Sequence, residues 1–103
     1  MNMDDSIQSN AADERQVRKA TQRESRERQQ EIADLIDLMN TAYGRRIVWR
    51  LFAMCGLYKS SFTGNSNTYM LEGRRSVALD LLVDIDKYCP DQFILAMREH
   101  RKD

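Results

Sequence analysis

The residues of this chain best suited to chemistry are arginines. Gly44-Arg45-Arg46-Ile47-Val48 and Gly73-Arg74-Arg75-Ser76-Val77 repeat a Gly-Arg-Arg-x-Val pattern 29 residues apart. Each guanidinium is a planar, permanently charged fork that matches carboxylate or phosphate oxygens. Neighbouring positions on a helix point about 100° apart, so each pair covers a broad arc of surface. Two such pairs on the rim of a helical domain would grip an acidic protein subunit or the phosphates of a nucleic acid. The alternative is internal, with the arginines paired to Asp34, Asp37, Glu72 and Asp84, and the spacing does not choose between the two. The repeated glycine has a plain reading as well, the close approach of two helices at a small residue. Trp49 and Arg50 follow the first pair and fall off the main apolar stripe of their helix. A tryptophan there either caps the core or anchors a partner.

Other reactive residue types form no constellation. His100 is the single histidine; it stands among arginine and lysine with no nucleophile or carboxylate at a catalytic spacing, and reads as an exposed residue. Asp80 and Asp84 share a helical face, with Asp86 nearby, but no glycine-turned calcium loop accompanies them, so they read as a solvated side. Gly64-Asn65-Ser66 lacks the lysine of a phosphate-binding loop. The expectation is a protein that is not an enzyme, with no catalytic residue, metal site or cofactor.

Composition narrows the partners. Sixteen basic residues balance sixteen acidic ones, which leaves no overall field for binding nucleic acid or an anionic membrane; any such binding would be local and secondary. Cys55 and Cys89 have neither a metal-ligand spacing nor sequence proximity, so both read as small buried hydrophobes of a reducing compartment. The opening MNMDDSIQSN is acidic and polar where a signal peptide needs a basic start and an apolar run. No stretch approaches the roughly 20 apolar residues of a membrane span. The chain is expected to be made in the cytoplasm.

The elements that would position these groups are helical. Residues 1–10 are polar and aperiodic and read as a disordered tail. Residues 11–31 are nearly all Arg, Glu, Gln, Asp and Ala, a polar helical or disordered arm with acid-before-base pairs Glu14/Arg18 and Glu24/Arg28 at i,i+4. An arm so poor in apolar residues has no core to join and would order along a neighbouring subunit. Residues 32–103 read as a compact all-α bundle of about four short helices. Ile32, Leu35, Ile36 and Met39 give the apolar face of the first. Thr41 caps a second over residues 42–55, with Ile47, Val48, Leu51, Phe52 and Cys55 facing inward and Gly56 as its stop. Ser66 or Asn67 starts a third, running to Tyr88 with Met70, Val77, Leu81 and Ile85 in one stripe beside Ala78 and Leu82. Pro90 and Asp91 open the last, which buries Phe93, Ile94 and Met97. Between the second and third helices lies a Ser/Asn/Gly loop pinned by Leu57, Tyr58 and Phe62. Phe62, Gly64 and Asn65 are its candidate contact residues.

The stretch Gly44-Arg45-Arg46-Ile47-Val48-Trp49-Arg50-Leu51, then Cys55-Gly56, Ser61-Phe62-Thr63-Gly64-Asn65-Ser66, Thr68 and Glu72-Gly73-Arg74-Arg75 resembles a family of small podovirus and prophage proteins typified by a Bordetella-phage protein. The resemblance covers roughly residues 40 to 98 and leaves the arm outside. Members are encoded among head and tail genes and carry no established activity. It implies a virion protein near the portal, tail or internal ejected core, binding other virion proteins in several copies and possible as a homo-oligomer. The partner-binding candidates are then Arg45, Arg46, Trp49, Arg50, Arg74 and Arg75. A small DNA-contacting packaging or assembly accessory is the alternative.

Overall fold

The computed structural model describes the backbone of residues 3–60 and 62–101, and side chains from residue 10 onward. The protein is all-α, with helices α1 (Met3–Met39), α2 (Ala42–Met54), α3 (Asn67–Tyr88) and α4 (Pro90–Glu99) and no strand among the described residues. The chain divides into two compact units, residues 1–31 and 32–103.

The first unit is a single run of α1. Its backbone is already helical at Met3, where a disordered tail over residues 1–10 was expected; residues 1 and 2 lie outside the described part. Its described surface is charged and solvated, with Val17 exposed and an exposed Arg28–Glu31 ion pair at 3.2 Å. Such a helix is held by the propensity of its Arg, Glu, Gln and Ala residues, since it has no apolar stripe to bury.

The second unit holds the core. Met39, Val48, Phe52, Leu57, Ala78, Ile85 and Cys89 are buried together, with Leu35, Ile36, Leu82 and Phe93 packed against them. Phe93 meets Phe52 edge-on with ring centroids 6.3 Å apart, an arrangement that aromatic quadrupoles favour. The Thr41 hydroxyl accepts from the Gly44 N–H at 2.9 Å and donates to the Leu38 carbonyl at 2.7 Å, so one side chain closes α1 and opens α2. At the other end of α2, Gly56 has φ of 69°, and the Gly56 and Leu57 amides bond back to the Ala53 and Phe52 carbonyls. This is a Schellman closure, and it turns Leu57 into the core against Phe52. Pro90 stands in the first turn of α4 with Asp91, as its missing N–H and the helix dipole favour.

The faces turned inward differ from expectation. Ile47 is 57 % exposed and Leu51 is also exposed, while Gly44, Arg45, Val48 and Phe52 are buried. A Cβ on Gly44 would collide with the Leu38 carbonyl oxygen and sit 2.6 Å from Thr41 Oγ1. That tight junction fixes the rotation of α2 about its axis and puts the 44/48/52 row inside. On α3, Met70 and Val77 are exposed and Ala78 and Ile85 are buried. The small Ala78 lies where α3 packs on its neighbours, and a methyl there permits a closer approach than Val77 would. On α4, Ala96 is buried in place of Ile94 and Met97, which are both exposed.

Candidate interaction surface

The first Gly-Arg-Arg is split between core and surface. Arg45 is only 8 % exposed. Its Nη2 and Nε donate to Glu99 Oε1 at 2.7 and 2.9 Å, Nε also reaches Oε2 at 3.1 Å, and Nη1 donates to the Met39 carbonyl at 2.9 Å. The hydrogen bonds to Glu99 hold the arginine's pKa up against the cost of burial, aided by the carboxylate charge. In turn the bonds from Arg45 hold the Glu99 carboxyl below its usual value, against partial desolvation, with the charges of Arg45, His100 and Arg46 adding to the effect. The expected rim position for Arg45 is therefore incorrect, because the residue lies on the buried row of α2. Its partner is Glu99, not one of the four acids expected from the sequence.

Arg46 and Arg50 are exposed on α2, and neither has an ion pair among the described residues. In the second repeat the roles are exchanged. Arg75 is half-buried and its Nε donates to the Leu57 carbonyl at 3.2 Å, fastening the loop that follows α2. Arg74 is exposed and borders a cleft with Met54, Cys55, Lys59 and Leu71. The glycines differ as well, since among the described residues nothing lies within 4 Å of a Cβ placed on Gly73. The two motifs thus share letters and not roles. Two of the four arginines hold the bundle together, and Arg46 and Arg74 are exposed.

Trp49 joins the end of α4. Its indole stacks on the His100 imidazole at 5.3 Å with 13° between planes, and Tyr58 approaches at 6.1 Å. His100 is half-buried and its Nε2 is buried without a hydrogen-bond partner among the described residues. The reading of His100 as a simply exposed residue is thereby overturned: the close of α4 lays its ring on the indole. Trp49, Tyr58, Met97, His100 and Arg101 line an open hollow of about 570 Å³. Met97 and Glu99 carry no sequence signal for these positions, because they reach α2 only through the packing of α4, and Tyr58 reaches Trp49 only through the fold of the loop that follows α2.

Of the three residues expected to pin the loop, Leu57 is buried, whereas Tyr58 is exposed and Phe62 is 79 % exposed. Polar bonds complete it. Asn65 Oδ1 accepts from the Thr63 hydroxyl and from the Asn67 N–H, each at 2.9 Å, and Gly64 has φ of 77°. Phe62, Gly64 and Asn65 remain exposed. Among the described residues no three His, Cys, Asp or Glu side chains gather as a metal-binding group, and no helix is long and apolar enough to cross a membrane.

The pattern of the Bbp19-like phage proteins matches residues 37–99, more than half of the chain and nearly all of the bundle. The chain belongs to this family. The matched segment contains both Gly-Arg-Arg motifs, the Arg45–Glu99 pair, the Trp49 indole and the loop, and it stops one residue before His100. No curated protein and no solved structure matches the chain.

Proposed function

We propose that this phage protein is a non-enzymatic structural component of a tailed-phage virion, a portal- or tail-proximal adaptor or an internal core or ejection protein, present in several copies and bound to other virion proteins. The observation that carries the reading is the outer face of α2. Tyr43, Ile47, Leu51 and Met54 are all exposed and recur at helical spacing along one stripe that flanks the buried row. A small bundle whose helix carries apolar residues well beyond its buried row has a surface suited to contact with protein. The polar helix of residues 11–31, with no core of its own, suits an arm that lies on a neighbouring subunit. The DNA-accessory alternative has less support, since Arg45 is neutralised by Glu99 and Arg75 is engaged with Leu57, leaving Arg46 and Arg74 for phosphates. The test is mass spectrometry of purified virions. Several copies per particle are expected, and absence of the chain from virions would sink the proposal.

A further inference from the structure

The apolar stripe on the outer face of α2 has a border of one charge. Arg46 and Arg50 run along one edge of Tyr43, Ile47 and Met54, at the i+3 and i+4 spacings that lie side by side on a helix. Both arginines are exposed, without an ion pair among the described residues. At its C-terminal end the stripe runs into a cleft of about 220 Å³, where Met54 meets Cys55 and Leu71 of α3 and where the charged lining residues are Lys59 and Arg74. These two are likewise exposed, without an ion pair among the described residues. α2 contains no acid, and no acid lines the cleft among the described residues. Glu99, which α4 brings to α2, is taken up by Arg45.

Stripe and border together restrict what can lie on this face. A DNA backbone offers phosphates to the four cations and no apolar ridge for the stripe beside them. A second copy offers on its own α2 face the same cations and no acid, so a self-complementary contact would leave like charges facing one another. A helix with an apolar ridge and carboxylates on its flanks satisfies both, laid along α2 by its apolar side. From Tyr43 to Met54 the stripe rises about 16 Å, which about three turns of such a helix cover.

We infer that the outer face of α2, from Tyr43 to Met54 and on into the Leu71 cleft, seats an acidic amphipathic helix of a partner protein, its carboxylates facing Arg46 and Arg50 on the flank and Lys59 and Arg74 at the cleft. The inference rests on the reading of this stripe as a protein contact and adds the chemistry of the partner.

The probes are two synthetic amphipathic helices of about 18 residues with the same leucine stripe, one flanked by glutamate and the other by lysine. Each is labelled and titrated with the full chain, and binding is followed by fluorescence anisotropy. The glutamate peptide should bind the wild type at least about tenfold more tightly than the lysine peptide. R46E/R50E should reverse that preference, and Ile47→Asp should weaken the glutamate peptide by a similar factor. All three substituted residues are exposed, and far-UV circular dichroism checks that each variant folds. A wild type that binds neither peptide or both equally, or an R46E/R50E variant that keeps the wild-type preference, would overturn the inference. So would a short DNA duplex that binds more tightly than the glutamate peptide and is lost in R46E/R50E, since the face would then be a phosphate site. A wild type that self-associates in sedimentation and turns monomeric on Ile47→Asp would give the face to a second copy and overturn it as well. Each of these results leaves the virion proposal standing, whereas glutamate-peptide binding by a chain absent from virions would do the reverse.

Discussion

Arg45 in the first turn of α2 and Glu99 in the last turn of α4, 54 residues apart, form a forked ion pair with contacts of 2.7 to 3.1 Å. The same guanidinium donates to the Met39 carbonyl, where α1 ends. One side chain therefore joins three helices. The arginine is nearly buried and the carboxylate is partly exposed, so the charge that suffers most when the pair is broken is the guanidinium.

Stability should follow the ionisation of Glu99. Its folded pKa is depressed, chiefly by the hydrogen bonds from Arg45; the pair therefore contributes fully above the ordinary glutamate range, and the contribution is lost as pH falls through the lower folded value. In urea unfolding, the wild-type midpoint should fall on acidification more steeply than that of Glu99→Gln. The variant should already be less stable at neutral pH. Parallel pH profiles would contradict this assignment.

The two repeat glycines should respond to alanine with opposite signs. Gly73→Ala adds a methyl into open space inside α3 and should raise stability by about 0.5–1 kcal/mol. Gly44→Ala drives a Cβ into the Leu38 carbonyl and the Thr41 hydroxyl, so it should destabilise despite the better helix propensity. Removal of the cap by Thr41→Ala should cost about 1 kcal/mol. Thermal melts of the three variants decide it.

Among the aromatics, Phe52 is the one the core needs. It is fully buried and touches Phe93, so Phe52→Ala should cost about 3–5 kcal/mol and leave a small domain largely unfolded. Phe62→Ala should change stability by no more than about 0.5 kcal/mol. Chemical denaturation of both variants separates a core aromatic from a surface one.

The two thiols should differ in reactivity. Cys89 is buried between α3 and α4, and burial pushes its thiol pKa up; Cys55 is half-buried near the surface end of α2. A thiol reagent should modify Cys55 first in the folded protein and Cys89 only as the bundle opens. Equal rates at both positions would mean that α4 detaches readily.

Periodicity, capping residues and the breakers Gly56 and Pro90 are local signals, and they determine by themselves that this chain is helical and where α2, α3 and α4 begin and end. Thr41 caps as expected, and the match to the phage family likewise follows from residue order alone. The rotation of each helix about its axis was not legible. α2 is apolar over most of its circumference, so spacing identifies a helix without saying which part of it is buried. The Gly44 contact with the Leu38 carbonyl decides that, turning Ile47 and Leu51 outward and Arg45 inward. α4 decides the remainder by bringing Glu99 to Arg45 and His100 to Trp49. An ion pair or a ring stack between residues more than fifty positions apart depends on the packing of whole helices, and no short-range pattern encodes it.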